Sequence, residues 1–163
     1  MHIQNRSWYN KIRQQTTEII VMHHIREVTV RYGPKPKTSE AIKGPQDIAK
    51  LVRKIIKENG KEHFIMFCLD GGNEVISYNI VTKGIANSTQ VHPREVFQLA
   101  IATGAVSIVV AHNHPSGSLE ASRSDIDTTT RLVNAGNLLG ISVLDHIIVT
   151  DRDFSSLRET GVL

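Results

Sequence analysis

The chain has 163 residues and a formal net charge of +3; 40% of the residues are hydrophobic, 21% are charged and 5% are aromatic. These values are ordinary for one soluble globular domain, and the scattered lysines and arginines identify no nucleic-acid partner. A single cysteine, Cys68, excludes an intramolecular disulfide, and no apolar run approaches the roughly 20 residues of a membrane span. Because the polar N-terminus also lacks the apolar stretch of a secretory signal, we expect a cytoplasmic protein with no membrane association.

Residues 1–44 are predicted to be an N-terminal arm and linker. The region is polar and weakly patterned; a short helix around Lys11–Ile20 is compatible with it, and the β-branched run Val28–Tyr32 predicts a strand. Residues 33–45 are rich in proline, glycine and lysine, which is typical of an exposed linker. We therefore predict that the body of the protein is one domain over residues 45–163.

The first half of this body is predicted to be a helix followed by a β-hairpin. Pro45 suits a first helical position, and Gly60 stands where a helix C-cap is expected. Apolar residues recur between them at helical spacing, namely Ile48, Leu51, Val52, Ile55 and Ile56. Strands are predicted over Phe64–Leu69 and Glu74–Val81, with a third around Ile85–Val91. The hairpin turn contains Asp-Gly and Gly-Gly dipeptides, which favour tight turns because glycine reaches positive φ without steric cost.

The second half is predicted to alternate helices with buried strands. A helix over Pro93–Thr103 ends at Gly104, and the continuous apolar run Ala105–Ala111 indicates a strand that is buried on both faces. A long helix follows over about Ser122–Leu139, with Ile126, Leu132, Val133, Leu138 and Leu139 as its apolar positions and Gly140 as its end. The last strand covers Ile141–Thr150, and Asp151–Asp153 is typical of a turn. Interleaved helices and strands predict an α/β sandwich around a mixed sheet.

Two histidines at the end of the buried strand have a spacing that suits metal binding. Residues i and i+2 of a strand point to the same face, so the rings of His112 and His114 can converge. Asp125, in the first turn of the next helix, is a candidate third ligand. Three protein ligands plus one water are typical of a catalytic zinc site, whereas structural zinc sites usually have four protein ligands.

Each fragment also has a plain structural interpretation. Two histidines at a strand end are more often hydrogen-bonding loop residues than ligands. Ser122 followed three residues later by Asp125 also has the form of a helix N-terminal cap. Only the combination of these fragments is specific.

That combination resembles the metal motif of the JAMM family, also called MPN+. The family motif reads H-x-H-P, six residues, then S-x-x-D, and every spacing is present here. The residue between the histidines is commonly Ser or Thr in the family; Asn113 stands here, and the sequence HNHPSG resembles the bacterial RadC-like branch. The resemblance covers roughly residues 45–163 and includes Pro93–Phe97, Leu138–Ile141, Leu144–Val149 and Ser155–Glu159.

The resemblance implies a fold, a cofactor and catalytic residues. The fold would be the JAB/MPN type, a cytidine-deaminase-like mixed sheet sandwiched by helices. Zinc would be held by His112, His114 and Asp125, and the zinc-bound water would attack an amide carbonyl of a peptide or protein substrate. Glu62 or Glu95 would be the general base, with Glu62 the better match to the family position. Ser122 would donate a hydrogen bond to the oxyanion.

Two other functions compete with this hydrolase hypothesis. RadC-like proteins carry a DNA-repair label, and larger members have an N-terminal helix-hairpin-helix module, but the arm of this chain lacks the glycine-containing hairpin of such a module. Some relatives are non-catalytic MPN scaffolds; those generally lack the metal ligands, which are all present here. The sequence names neither the substrate nor the oligomeric state.

Other residues permit weaker predictions. His146 could orient a metal ligand from behind or be a core histidine. Cys68 lies within an apolar strand and is predicted to be buried packing. His23, His24 and His92 have no partners at metal spacing and are predicted to be surface or capping residues.

Overall fold

The computed structural model describes residues 41–84 and 91–163. Within these ranges the helices are α1 (Pro45–Ile55), α2 (Pro93–Thr103) and α3 (Arg123–Leu139), and the strands are β1 (His63–Leu69), β2 (Val75–Lys83), β3 (Ser107–Asn113), β4 (Ser142–Val149) and β5 (Phe154–Ser156). The predicted helix at Lys11–Ile20, the predicted strand at Val28–Tyr32 and most of the strand predicted at Ile85–Val91 lie outside the described residues. The division into an arm over 1–44 and a domain over 45–163 stays a prediction.

The five strands form one mixed sheet in the order β2-β1-β3-β4-β5. Strands β3 and β4 are parallel and are connected through α3, whereas the other neighbouring strands are antiparallel. In this register Phe64 of β1 lies opposite His112 of β3, and His112 lies opposite Ile148 of β4. The predicted mixed sheet with helices on its faces is confirmed.

Helices cover both faces of the sheet, and alternate strand residues contribute to two separate cores. Helix α1 packs on one face, with this core: Ile48, Ala49, Val52, Ile56, Ile65, Phe67, Leu69, Val109, Ala111, Ile147 and Val149. Helices α2 and α3 pack on the other face, with this core: Phe64, Met66, Cys68, Val91, Val96, Phe97, Ala100, Ala105, Ile108, Val110, Leu132, Ile141 and Val143. Strands β1 and β3 are therefore buried on both faces, which explains their continuous apolar sequence. Cys68 is fully buried, as predicted.

Helix α1 ends earlier than the sequence predicts, so the assignment of Gly60 as its C-cap was wrong. The helix ends at Ile55, and Ile56 is the C-cap residue with an extended backbone. Ile56 is 5% exposed and packs in the α1-side core. Burial of its side chain outweighs continuation of the helix into the exposed residues 57–60.

The hairpin between β1 and β2 is confirmed, but its turn does not use glycine in the predicted way. The left-handed residue is Asn73, with φ 59°, whereas neither Gly71 nor Gly72 has positive φ. The Asp70 carboxylate accepts hydrogen bonds from the backbone N–H groups of Gly72 and Glu74. A side chain thus organises this turn.

Helix α3 presents a more polar face to the sheet than predicted. Its buried residues recur at helical spacing and are Asp125, Thr128, Thr129, Leu132 and Gly136. Leu138 and Leu139, two of the apolar positions of the predicted helix, are instead 90% and 46% exposed. Polar residues at the start of the inner face mark the place where α3 meets the histidines of β3. Within the described ranges, no helix is long and apolar enough to cross a membrane.

Candidate metal centre

The end of β3 places two histidine rings side by side. His112 is the penultimate residue of the strand and is 3% exposed; His114 follows the strand and is partly buried. Because alternate residues share a face, both rings point to the α3 side of the sheet. Their Nε2 atoms lie 2.8 Å apart. The structure thus brings the two histidines of the motif together.

The cap of α3 brings Asp125 to these rings. Asp125 Oδ1 lies 3.4 Å from His112 Nε2, and Oδ2 lies 3.9 Å from His114 Nε2. Ser122 is the N-cap residue, and Asp125 is the third helical residue of a complete capping box. The proposed ligand is therefore part of the helix cap, and the hydrogen bonds that begin the helix also orient its carboxylate.

Ser122 uses its hydroxyl hydrogen within this cap. Ser122 Oγ donates to Asp125 Oδ2 at 2.6 Å and accepts from the backbone N–H of Asp125 at 3.2 Å. The backbone N–H of Ser122 donates to the same Oδ2 at 2.8 Å. These two bonds leave Asp125 Oδ1 as the oxygen nearer His112. An oxyanion would have to compete with Asp125 for the Ser122 hydroxyl.

Glu62 reaches the same cluster from the residue before β1. Its Oε1 lies 3.7 Å from His114 Nε2, and Glu62, His112 and His114 each offer one ligand atom within 4.8 Å of the others. Burial raises the pKa of Glu62 above its ordinary value, and the Asp125 charge adds to the rise while His114 opposes it. Glu95, the competing candidate, is exposed in the first turn of α2 and does not belong to this group.

Asn113 anchors the backbone on both sides of Glu62, a role that the sequence did not reveal. Its Oδ1 accepts from the backbone N–H of His63 at 2.8 Å, and its Nδ2 donates to the carbonyl of Lys61 at 2.9 Å. The β1–β3 ladder ends at Phe64 and His112, so this side chain supplies the next connection between the strands. Its position between the two histidines was the only available signal.

Behind His112 lies a buried polar chain that the sequence revealed only in part. His112 Nδ1 contacts His146 Nε2 at 2.8 Å, and His146 Nδ1 contacts Thr129 Oγ1 at 2.6 Å. Thr129 Oγ1 in turn donates to the Asp125 carbonyl at 2.7 Å. His146 is fully buried, and the ring of Phe64 packs against both histidines. His146 is therefore buried, and it lies directly behind His112, as the prediction that it orients a metal ligand requires.

The donor set fits a zinc ion. Imidazole nitrogen and carboxylate oxygen are both zinc ligands. His114 Nδ1 lies 2.9 Å from the Ser118 carbonyl, which can only accept, so Nδ1 carries a hydrogen and Nε2 is the nitrogen that can offer a lone pair to the cluster. Burial also lowers the pKa of His112 to about 4, which keeps this ring neutral and able to coordinate. Nitrogen lone pairs and carboxylates that converge at such distances favour a cation between them.

Comparison with known proteins identifies relatives over most of the chain. A family model described as a RadC-like JAB domain matches residues 42–162. A UPF0758 protein of Desulforamulus reducens is 42% identical over 127 residues, 78% of this chain and 56% of the relative. A UPF0758 protein of Staphylococcus epidermidis is 47% identical over 117 residues, 72% of this chain and 52% of the relative. One of Clostridium perfringens is 42% identical over 149 residues, 91% of this chain and 64% of the relative.

The chain thus spans between about half and two thirds of the length of these relatives. Their names state no activity, substrate or cofactor. The match therefore supports the family and the fold, and the chemistry of the site has to be argued from its residues.

Proposed function

Since the chain belongs to the RadC-like JAB domain family, we propose that it is a zinc-dependent hydrolase of the metallopeptidase or isopeptidase type, which cleaves an amide bond with water. The observation that carries this proposal is the convergence of two imidazole nitrogens and two carboxylates at the start of β1, the end of β3 and the first turn of α3. His112, His114 and Asp125 would hold the ion. When bound, zinc supplies a Lewis acid that makes water nucleophilic near neutral pH.

Glu62 suits the role of proton carrier. It is partly buried beside His114, and its raised pKa makes its carboxylate a better proton acceptor near neutral pH. Its Oε1 would take a proton from the attacking water and return it to the leaving amine. Asn113 bonds to the backbone on either side of this residue, so the start of β1 that carries the carboxylate is tied to β3.

Asp125 and Ser122 would act as a pair. Two hydrogen bonds from Ser122 hold Asp125 Oδ2, and Oδ1 faces His112. As the carbonyl is attacked, the Ser122 hydroxyl could transfer its hydrogen bond to the developing oxyanion while its backbone N–H still holds Asp125. Loss of one oxyanion donor typically lowers kcat by about 10²–10³-fold.

The metal is tested first, because it does not require a substrate. The 163-residue chain, purified without added zinc, is analysed for bound metal, and His112→Ala and Asp125→Asn are compared with His92→Ala. His92 is a matched control because it is an exposed histidine that caps α2. We expect about one zinc per chain in wild type and His92→Ala and much less in the other two variants. A folded wild type that takes up no zinc after addition would contradict the proposal and favour the scaffold alternative.

Hydrolysis is tested next with Glu62→Gln and Glu95→Gln. A mixture of linear peptides and lysine-branched isopeptides is incubated with zinc-loaded protein, and products are identified by mass spectrometry. We expect cleavage by wild type and Glu95→Gln, and retained zinc without cleavage in Glu62→Gln. Cleavage by Glu62→Gln at the wild-type rate would exclude Glu62 as the general base.

A further inference from the structure

A series of buried hydrogen bonds runs from His112 through His146 to Thr129. The donor and the acceptor of each bond can be assigned by starting from Thr129. A backbone carbonyl can only accept, and the Thr129 hydroxyl has one hydrogen, which it donates to the Asp125 carbonyl at 2.7 Å. Thr129 Oγ1 therefore offers only lone pairs to His146 Nδ1, 2.6 Å away. It follows that the hydrogen of this contact belongs to His146 Nδ1.

The order continues through His146 to the proposed metal ligand. His146 is 0% exposed, and its ring nitrogens contact Thr129 Oγ1 and His112 Nδ1, so a positive charge on this buried ring would have no carboxylate partner at either nitrogen. The ring is therefore neutral and carries a single hydrogen. With that hydrogen on Nδ1, His146 Nε2 is an acceptor for His112 Nδ1 at 2.8 Å. His112 Nδ1 is thus the donor, and the neutral His112 ring has a bare Nε2, which faces His114 and Asp125.

We propose that His146 and Thr129 are positioning residues that hold His112 in the tautomer able to bind metal through Nε2. This inference rests on the proposed zinc site and adds residues that lie outside its ligands. If instead Thr129 donated to His146 Nδ1 and His146 Nε2 donated to His112 Nδ1, the hydrogen of the neutral His112 ring would lie on Nε2. That hydrogen would exclude metal from Nε2. The bond from Thr129 to the Asp125 carbonyl favours the arrangement of hydrogens that leaves His112 Nε2 free to bind metal.

The same series of hydrogen bonds also connects two proposed ligands that lie on different elements. It begins at the backbone of Asp125 on α3 and ends at the ring of His112 on β3. Phe64 packs against the rings of both His112 and His146, which limits their rotation. Contacts of this kind orient metal-ligating histidines, and their loss typically lowers metal affinity by about 10–100-fold.

Adjacent threonines of α3 provide a matched test. Thr128 and Thr129 are 1% and 2% exposed, and a change to valine preserves the size of either side chain. The Thr128 hydroxyl accepts from Arg131, whereas only that of Thr129 is joined to His146. Zinc affinity of the full chain is measured by competition with a chromophoric chelator. We expect Thr129→Val to bind zinc about 10–100-fold more weakly and Thr128→Val to stay within about threefold of wild type.

A second pair of variants and a spectroscopic readout separate positioning from general stability. His146→Gln introduces an amide oxygen that can accept from His112 Nδ1, whereas His146→Leu offers no acceptor. Both variants should bind zinc more weakly than wild type, and His146→Gln should bind it more tightly than His146→Leu. Imidazole ¹⁵N spectra of zinc-loaded wild type should show His112 coordinated through Nε2, with hydrogens on Nδ1 of His112 and His146. Urea unfolding tests whether each variant is folded.

The possible outcomes distinguish this inference from the proposed function. If wild type binds zinc and Thr129→Val equals Thr128→Val, or if zinc is bound through His112 Nδ1, the positioning role is wrong and the zinc site stands. If folded wild type binds no zinc, both fail.

Discussion

Replacement of Asn113 by alanine tests whether one side chain of β3 holds the backbone around Glu62, the proposed general base. The substitution removes the amide that bonds to the backbone N–H of His63 and to the carbonyl of Lys61, on either side of Glu62. It leaves the partners of both proposed histidine ligands in place, since His112 contacts His146 and His114 contacts Ser118. We therefore expect stability and hydrolysis to fall while zinc binding is kept.

The size of the effect follows from what each backbone group loses. The Lys61 carbonyl also contacts His63 Nδ1 at 2.9 Å, so it retains a partner. The backbone N–H of His63, a residue that is 4% exposed, loses the acceptor that it has in the structure. A buried donor left without a partner costs about 1–3 kcal/mol. The free energy of unfolding should fall by about this amount, and exchange of the His63 amide should accelerate roughly 5–150-fold, at 1.4 kcal/mol per tenfold.

Urea unfolding measures the free energy of unfolding, hydrogen exchange measures the protection of the His63 amide, and chelator competition measures zinc affinity; hydrolysis is followed with the peptide mixture described above. Asn59→Ala is the control, because Asn59 is exposed and its side chain contacts Asp151 at the surface. The control should change the free energy of unfolding by less than about 0.5 kcal/mol. If Asn113→Ala behaves like the control and the His63 amide exchanges at the wild-type rate, the reasoning is refuted. A zinc affinity reduced as strongly as in His112→Ala would show that Asn113 supports the ligands rather than Glu62.

Three further predictions concern pH, the helix cap and a close contact. In the zinc-free folded protein the pKa of His112 is lowered from the ordinary 6.5 to about 4. Between these two pH values the unfolded chain binds more protons than the folded protein. The free energy of unfolding should therefore fall by up to about 3 kcal/mol as the pH is lowered from 6.5 through 4. A wild-type unfolding profile that matches His112→Gln across this window would contradict it. Ser122→Ala should cost about 1 kcal/mol of stability through the lost cap; turnover at saturating zinc should also fall about 10²–10³-fold, and unchanged turnover would limit Ser122 to its cap and its bond to Asp125. Gly136→Ala should destabilise the fold by about 1–3 kcal/mol, because a Cβ would lie 2.4 Å from the Ile141 carbonyl oxygen; a gain of about 1 kcal/mol from helix propensity alone would refute this.

Local patterns predicted the identity of the elements better than their ends. Proline at the start and glycine after the end correctly bounded α2, since a fixed φ and a left-handed cap are local properties. The end of α1 was missed because burial of Ile56 in the core decides it. The exposure of Leu138 and Leu139 was missed for a related reason, because apolar spacing does not show which face of a helix meets the sheet.

The sequence alone determined the family, the mixed α/β fold and the histidine pair with its capping serine and aspartate, because these depend on short spacings along the chain. The tertiary structure brought Glu62 rather than Glu95 to the histidines, and it gave Asn113, His146 and Thr129 their partners. Asn113 reaches residues about 50 positions earlier through the β1–β3 pairing, and His146 meets His112 through the β3–β4 pairing. Partners so far apart along the chain are decided by strand register and helix packing, and no local pattern specifies them.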